Sequence, residues 1–395
     1  MKKLVISYLF FLIVIVSTLG QTQSFYLSGF ITNIKNEPIP FAHVMVKESS
    51  FGTITNESGF FQIDINTIST NSYLIVSHIG YKTDTSKIDK FQKNLIIILQ
   101  NCNVLLEEIT VYPITAFEII ERVKDSIRSN YYQGNFKLST FYRSIQYVDN
   151  NLNEVVEAII DVYRKGYGEF SKRKLKKRNY FSSYPIIIKG RYQKIQQYDW
   201  ESNFNMYGQI SKENFTDPIE IASANFFGNN DIYDYHFKVD SSILFENEPI
   251  WVISYTKVKE LGYKFHGQLF IRKKDFVLIK LTTFMKRGEK PIAKARIPFY
   301  KLEVNNSFLE YTFTTFENKW IIYSRNFQFD FSILTKKHTY NVQMSDFFVV
   351  QDITPNIEIN EDSIRTKSYK MTLHDYFDEY SPQFWESYDY IPYRY

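Results

Sequence analysis

The first hundred residues of this chain are punctuated by turn formers, and that punctuation limits what they can fold into. Gly29, then Asn36-Glu37-Pro38, then Asn56-Glu57-Ser58-Gly59 interrupt short segments rich in β-branched and aromatic residues. Each interruption has a backbone role: Asn56 can cap the turn it opens, and Gly59 can take a positive φ without steric cost. The stretches 25–34, 41–46, 51–55, 60–63, 73–79, 81–85 and 94–99 therefore read as strands. In 41–46, alternation places Phe41, His43 and Met45 on one face and Ala42, Val44 and Val46 on the other. Many short strands with regular turns predict a β-sandwich built by Greek-key connections.

Ahead of this region, Lys2 and Lys3 precede an apolar run over residues 4–16 and the small-residue stretch Ser17-Thr18-Leu19-Gly20. The pattern predicts a secretory signal peptide over residues 1–20. A retained anchor is the alternative, because the run is only a little short of a spanning helix. Cys102 is the only cysteine, so no intrachain disulfide can form and burial must supply the stability of an exported chain. Net charge is +4, from 47 basic and 43 acidic residues, too small a surplus to imply nucleic acid. Aromatics make up 18% of the chain, which favours strands over helices.

Gly29, PIPFAHVMV, GTITNESGFF, the IGYKT at 79–83 and the LLEEITVYP that ends at Pro113 occur in an order that resembles the carboxypeptidase regulatory-like domain. That family is a transthyretin-like β-sandwich common in envelope proteins of Bacteroidota-type bacteria, and the resemblance covers about residues 24–112. It implies that Gly29, Pro38, Gly52, Asn56, Gly59, Gly80 and Tyr81 fix turns and strand approaches, and that the domain carries no catalytic residues. Asn56 stands where the family usually has Asp; as a turn cap Asn serves equally well. The same module precedes the plug of TonB-dependent transporters, but the 283 residues after Tyr112 are too few for their large barrel.

Residues 113–375 are expected to form a second domain. Thr115-Ala116-Phe117-Glu118 fits a capping box. Ala116, Ile119, Ile120, Val123 and Ile127 follow at the spacing of one apolar helical stripe, so an amphipathic helix should end near Asn130. Beyond it, strands dominate: 135–147 and 152–167 flank the turn Asp149-Asn150-Asn151, and 309–316 and 320–331 flank Glu317-Asn318-Lys319. In 263–272, Tyr263, Phe265, Leu269 and Ile271 face one way and Lys264, His266, Gln268 and Arg272 the other. These signals predict a mainly β chain, with a large antiparallel meander sheet of one wet face closed on its apolar side by the helix. An incomplete barrel of the type seen in periplasmic lipoprotein carriers is one form it could take, by analogy of fold. The sandwich, helix, Phe141-Tyr142-Arg143 strand and closing Phe384-Trp385…Tyr388 also resemble a broader family, which imports no activity. The aromatic tail 376–395 is expected to dock on its own domain.

Chemistry-bearing motifs are absent from the sequence. The six histidines, His43, His78, His236, His266, His338 and His374, include no HxxE or HExxH spacing, so no catalytic metal site is expected. There is no GxSxG elbow, phosphate loop or dinucleotide fingerprint, and no cofactor is implied. Glu154, Glu157 and Asp161 would cluster on a helix, but the β-branched residues between them favour a strand, on which Glu154 and Glu157 face opposite ways. Lys172, Arg173, Lys174, Lys176, Lys177 and Arg178 form a basic run, read either as a solvated loop or as a contact for phosphate-bearing lipid or polysaccharide. The expectation is an exported, non-catalytic envelope protein, periplasmic or outer-membrane associated and peripheral at most. Its sandwich would dock or space, and its sheet domain would bind a partner, glycan or lipid. A hydrolase with an unrecognised site and a small outer-membrane β-barrel are the alternatives. An open apolar pocket over 135–350 would favour a lipid carrier, and a filled interior a scaffold.

Overall fold

A computed structural model describes residues 26–360 apart from 48–51, 57, 65–72, 89–93, 102–113, 168–182, 197, 199–214, 216–217, 220–230, 246–247, 259–261 and 298–299. The chain divides into two compact units, with the strands up to residue 99 in the first and all described elements from residue 116 onward in the second.

The first unit holds β1 (Tyr26–Asn33), β2 (His43–Val46), β3 (Gly52–Ile54), β4 (Phe60–Asp64), β5 (Tyr73–Ser77), β6 (Asp84–Lys87) and β7 (Leu95–Leu99). They form a sheet of order β4-β1-β7 and another of order β3-β2-β5-β6. Alternation drives their inward residues out of water: Leu27, Ile31, Phe61 and Ile63 of one sheet and Val44, Val46, Leu74 and Val76 of the other are all buried. β1 and β7 run parallel with Gly29 opposite Leu95. A Cβ at Gly29 would come within 2.3 Å of the Leu95 carbonyl oxygen, so only glycine permits this approach. The turn into β4 is held by Asn56, whose Oδ1 accepts from the Ser58 and Phe60 amides at 3.0 and 2.9 Å, while Gly59 takes φ +73°. β5 ends at Ser77, earlier than its sequence pattern suggests, because the chain turns through Gly80 at φ +100° before β6 begins.

The second unit opens with α1 (Ala116–Asn130). Thr115 Oγ1 accepts from the Glu118 amide at 3.2 Å, and the Glu118 carboxylate accepts from the Thr115 amide at 2.7 Å, which completes the capping box. Those bonds hold the Glu118 carboxyl below its usual range. Eleven strands follow: β8 (Phe136–Val148), β9 (Asn151–Arg164), β10 (Ser183–Lys194), β11 (Tyr235–Phe245), β12 (Glu248–Lys257), β13 (Tyr263–Arg272), β14 (Val277–Arg287), β15 (Ala293–Ile297), β16 (Tyr300–Phe316), β17 (Lys319–Leu334) and β18 (Thr339–Pro355). The two hairpins anticipated with three-residue turns use two. Asp149 and Asn150, like Glu317 and Asn318, all have positive φ, the conformation whose twist matches the flanking strands. Asn151 and Lys319 are thereby already strand residues.

All eleven strands make one antiparallel sheet of order β10-β9-β8-β18-β17-β16-β14-β13-β12-β11, with β15 added on β16. The meander is split into two runs, β8–β10 and β11–β18, joined where the first strand pairs with the last. β10 and β11 do not pair with each other, so the described strands leave an open path and not the closed ring that a membrane barrel requires. The helix buries Ile119, Ile120 and Val123 in the same core as Ile250, Leu278 and Ile322, with Ala116 and Ile127 packed at its margin. Polar tethers fix its position: Ser126 Oγ donates to Phe276 O at 3.2 Å, Asn130 Nδ2 to Asp275 O at 2.7 Å, and Tyr131 Oη to Leu278 O at 2.9 Å.

Candidate functional site

Strand register sets which side chains meet on the inner face of the large sheet. One row across it reads Ala158, Tyr142, Phe348, Arg325, Tyr311, Leu281, Leu269 and Ile253. Every member is apolar or aromatic except Arg325. The neighbouring row places Ser144, Asp346, Phe327, Leu309 and Thr283 side by side.

Arg325 is 8% exposed and Asp346 6%. Asp346 Oδ1 accepts a hydrogen bond from Ser144 Oγ at 2.9 Å. Burial pushes the Asp346 carboxyl above the ordinary aspartate range, against the opposing pull of the Arg325 charge and of hydrogen bonds from Ser144 and Tyr142. The Tyr142 hydroxyl is raised well above its usual value by the same desolvation and by the Asp346 charge. Among the described residues Arg325 makes no ion pair, and its Nε and Nη1 are shut off from water with no hydrogen-bond partner. A buried donor without an acceptor costs about 1–3 kcal/mol, and more when charged. The Phe327 ring, with its centroid 4.9 Å from Cζ of Arg325, offsets part of this, about 2 kcal/mol for a desolvated contact.

From Arg325 the inner face of β17 continues as an aromatic ladder. Phe327 stacks on Phe329 at 5.1 Å and Phe329 on Phe331 at 5.3 Å. Phe327 and Phe329 are only half-buried, as are Leu309 and Met344 beside them. This band lies between the helix-covered core and a second buried cluster around Phe331, Ile333 and Val342. At the Arg325 end, Phe215 stacks on Phe348 at 5.2 Å and lies 6.0 Å from Tyr142.

On the other face the charges are paired. Glu157, 2% exposed, receives Arg143 through Nε at 2.6 Å and through Nη2, and Arg191 through Nε and Nη2. The Arg143 guanidinium also lies between the Phe141 and Phe347 rings, at 5.2 and 5.5 Å. Lys280 meets Glu310 at 2.7 Å. Asp161 on this face meets Lys137 at 3.1 Å, and Glu154, on the inner face by alternation, meets Lys194 at 3.2 Å. The three carboxylates of β9 are thus cross-strand counter-charges, with Glu154 and Glu157 on opposite faces.

Among the described residues, no group of three or more His, Cys, Asp or Glu side chains is placed to hold a metal ion. His266 stacks on Phe284 at 5.3 Å, and His338 lies 3.4 Å from the Asp149 carboxylate. No described helix is long and apolar enough to cross a membrane. Of the motif residues in the first region, Pro38 bridges Thr32, Gly52 pairs with Met45 and Tyr81 with Asn101. Gly29, Asn56, Gly59 and Gly80 occupy the strand approach and turns described above. The basic run 172–178, the signal segment, Cys102, His374 and the aromatic tail lie outside the described residues. Arg325 was not among the residues the sequence singled out. Its signal is present in the alternation of RNFQFDF, where Arg325 takes the same face as Phe327, Phe329 and Phe331.

Comparison with known proteins adds one firm point. Residues 27–111 match the CarboxypepD_reg-like domain family. Solved structures give looser matches. A DUF1329 family protein from Desulfovibrio piger is 8% identical, with 63% of this chain and 95% of that one covered at a TM-score of 0.28. A LolA superfamily protein from Nitrosomonas europaea is 12% identical, with 64% and 97% covered at 0.22. A domain from Vibrio parahaemolyticus, named for outer membrane lipoprotein sorting, is 8% identical, with 62% and 96% covered at 0.27. Scores this low do not establish a shared fold. Comparison with curated proteins gave no match.

Proposed function

We propose that this protein is an exported, non-catalytic component of a cell envelope whose sheet unit holds an acyl chain. The carrying observation is the half-buried band of Phe327, Phe329, Leu309 and Met344 between two buried clusters. Taking such a side chain from exposed to fully buried gains roughly 1.5–3 kcal/mol, so a ligand completing the burial of four half-buried ones gains about half of that from each. The paired charges on the opposite face and the helix tethers keep the sheet a rigid support for that ligand. The CarboxypepD_reg-like region, taken as residues 24–112 after a signal at 1–20, acts as a docking or spacing module ahead of the sheet domain over 113–375. Lys172, Arg173, Lys174, Lys176, Lys177 and Arg178 would add attraction to an anionic envelope surface.

The test is direct binding. Purified protein titrated with a fluorescent long-chain acyl probe should show saturable uptake, and Phe327→Ala should weaken it several-fold with the fold intact by circular dichroism. No saturable uptake by the unaltered protein, or uptake indifferent to Phe327→Ala, would refute the reading.

A further inference from the structure

We infer that Arg325 is the anchor for the head of the ligand, which makes that ligand a monoanionic acyl amphiphile. The inference rests on the acyl-binding reading above and deepens it. Arginine stays protonated under all working conditions, so its burial has to be answered by negative charge. For several other cations of this sheet the answer is built in: Arg143 and Arg191 share Glu157, Lys280 has Glu310 and Lys194 has Glu154. Among the described residues Arg325 has no such partner, and two of its donor nitrogens face no acceptor. Asp346 acts on it through space without forming an ion pair, and is occupied by Ser144.

Position adds to charge. Arg325 stands at one end of the Phe327–Phe329–Phe331 ladder, so a head bound there would send its chain along the half-buried band. Six residues of strand from Arg325 to Phe331 span about 20 Å, the scale of an extended long-chain acyl group. One guanidinium is answered by a single negative charge, which a carboxylate or a phosphodiester supplies and a phosphomonoester exceeds. A charge-assisted hydrogen bond to that head satisfies nitrogens that are otherwise stranded.

The experiment compares palmitate, hexadecanol and lysophosphatidylglycerol on the full chain, by calorimetry or probe displacement. Palmitate should bind at least tenfold more tightly than hexadecanol, and Arg325→Met should remove that preference while leaving hexadecanol affinity within twofold. Equal affinity for the acid and the alcohol, or a preference that survives Arg325→Met, overturns the inference while the acyl-binding reading stands. Binding of none of the three overturns both. Lysophosphatidylglycerol separates the sources of the charge: tighter binding than palmitate assigns a phosphodiester head, and weaker binding a carboxylate. Ligand-free Arg325→Met should melt no lower than the unaltered protein, since it removes an unanswered charge. A large drop would show that Arg325 is structurally paired and would overturn the assignment.

Discussion

Replacing Glu157 with leucine should destabilise the sheet unit far more than the loss of a surface ion pair would. Arg143 is 1% exposed and Glu157 2%, so Glu157→Leu strands a guanidinium in a place that water does not reach. Arg191 is 24% exposed and can turn to solvent, so the penalty falls mainly on Arg143. Breaking a buried pair from one side costs about 3–5 kcal/mol. At roughly 2–4 °C per kcal/mol for a unit of 150–250 residues, the midpoint should fall by about 6–20 °C. Tryptophan fluorescence during heating follows this unit, because Trp251 and Trp320 lie in its core. The double variant Arg143→Met with Glu157→Leu removes the stranded charge and should recover most of the loss, since apolar replacement of a buried pair is often neutral. The exposed pair Lys294–Glu303 is the control, worth about 0–1 kcal/mol. A Glu157→Leu drop no larger than that control, or a double variant as unstable as the single one, would refute the reasoning.

Two further outcomes follow from local geometry. Thr115→Ala removes the side chain that accepts from the Glu118 amide and should cost about 1 kcal/mol of stability, read by urea denaturation; an unchanged midpoint would mean that tertiary tethers alone hold the helix. Asp346 binds its proton more tightly in the folded chain than an ordinary aspartate at 3.8, so the native state holds a proton that the unfolded chain releases as pH rises above that value. Its contribution to stability therefore declines from there up to the folded pKa, and Asp346→Asn should flatten the pH dependence and raise stability at neutral pH; an unaltered slope in denaturation series across pH would contradict this.

Local chemistry was legible in the sequence wherever a few neighbouring residues decide the structure. The α1 limits follow from Thr115, Glu118 and one apolar stripe, and the Asn56 turn from a side chain reaching its own backbone. The hairpins were found for the same reason, with an error of one residue at Asn151 and Lys319 that only the φ values of the turn could decide. The pairing of β8 with β18 was not legible, because no local signal links residues about two hundred positions apart. The partners of Glu154, Glu157 and Asp161 were hidden likewise, since cross-strand register selects them. Arg325 is an intermediate case: alternation gives its face, but that its Nε and Nη1 meet no acceptor among the described residues emerges only once every neighbouring strand is placed.

The union of β8 with β18 carries a cost in time. Ser144 and Asp346 are 202 positions apart, so the seam closes only after nearly the whole second unit has been made. Pairings between such distant segments are slow to form, and until then β8 presents a bare row of amides and carbonyls along its margin. Any chain halted before Thr339 keeps that margin open indefinitely. Nascent or truncated copies should thus be the species that stick to one another, and a holding chaperone would serve them best by shielding β8.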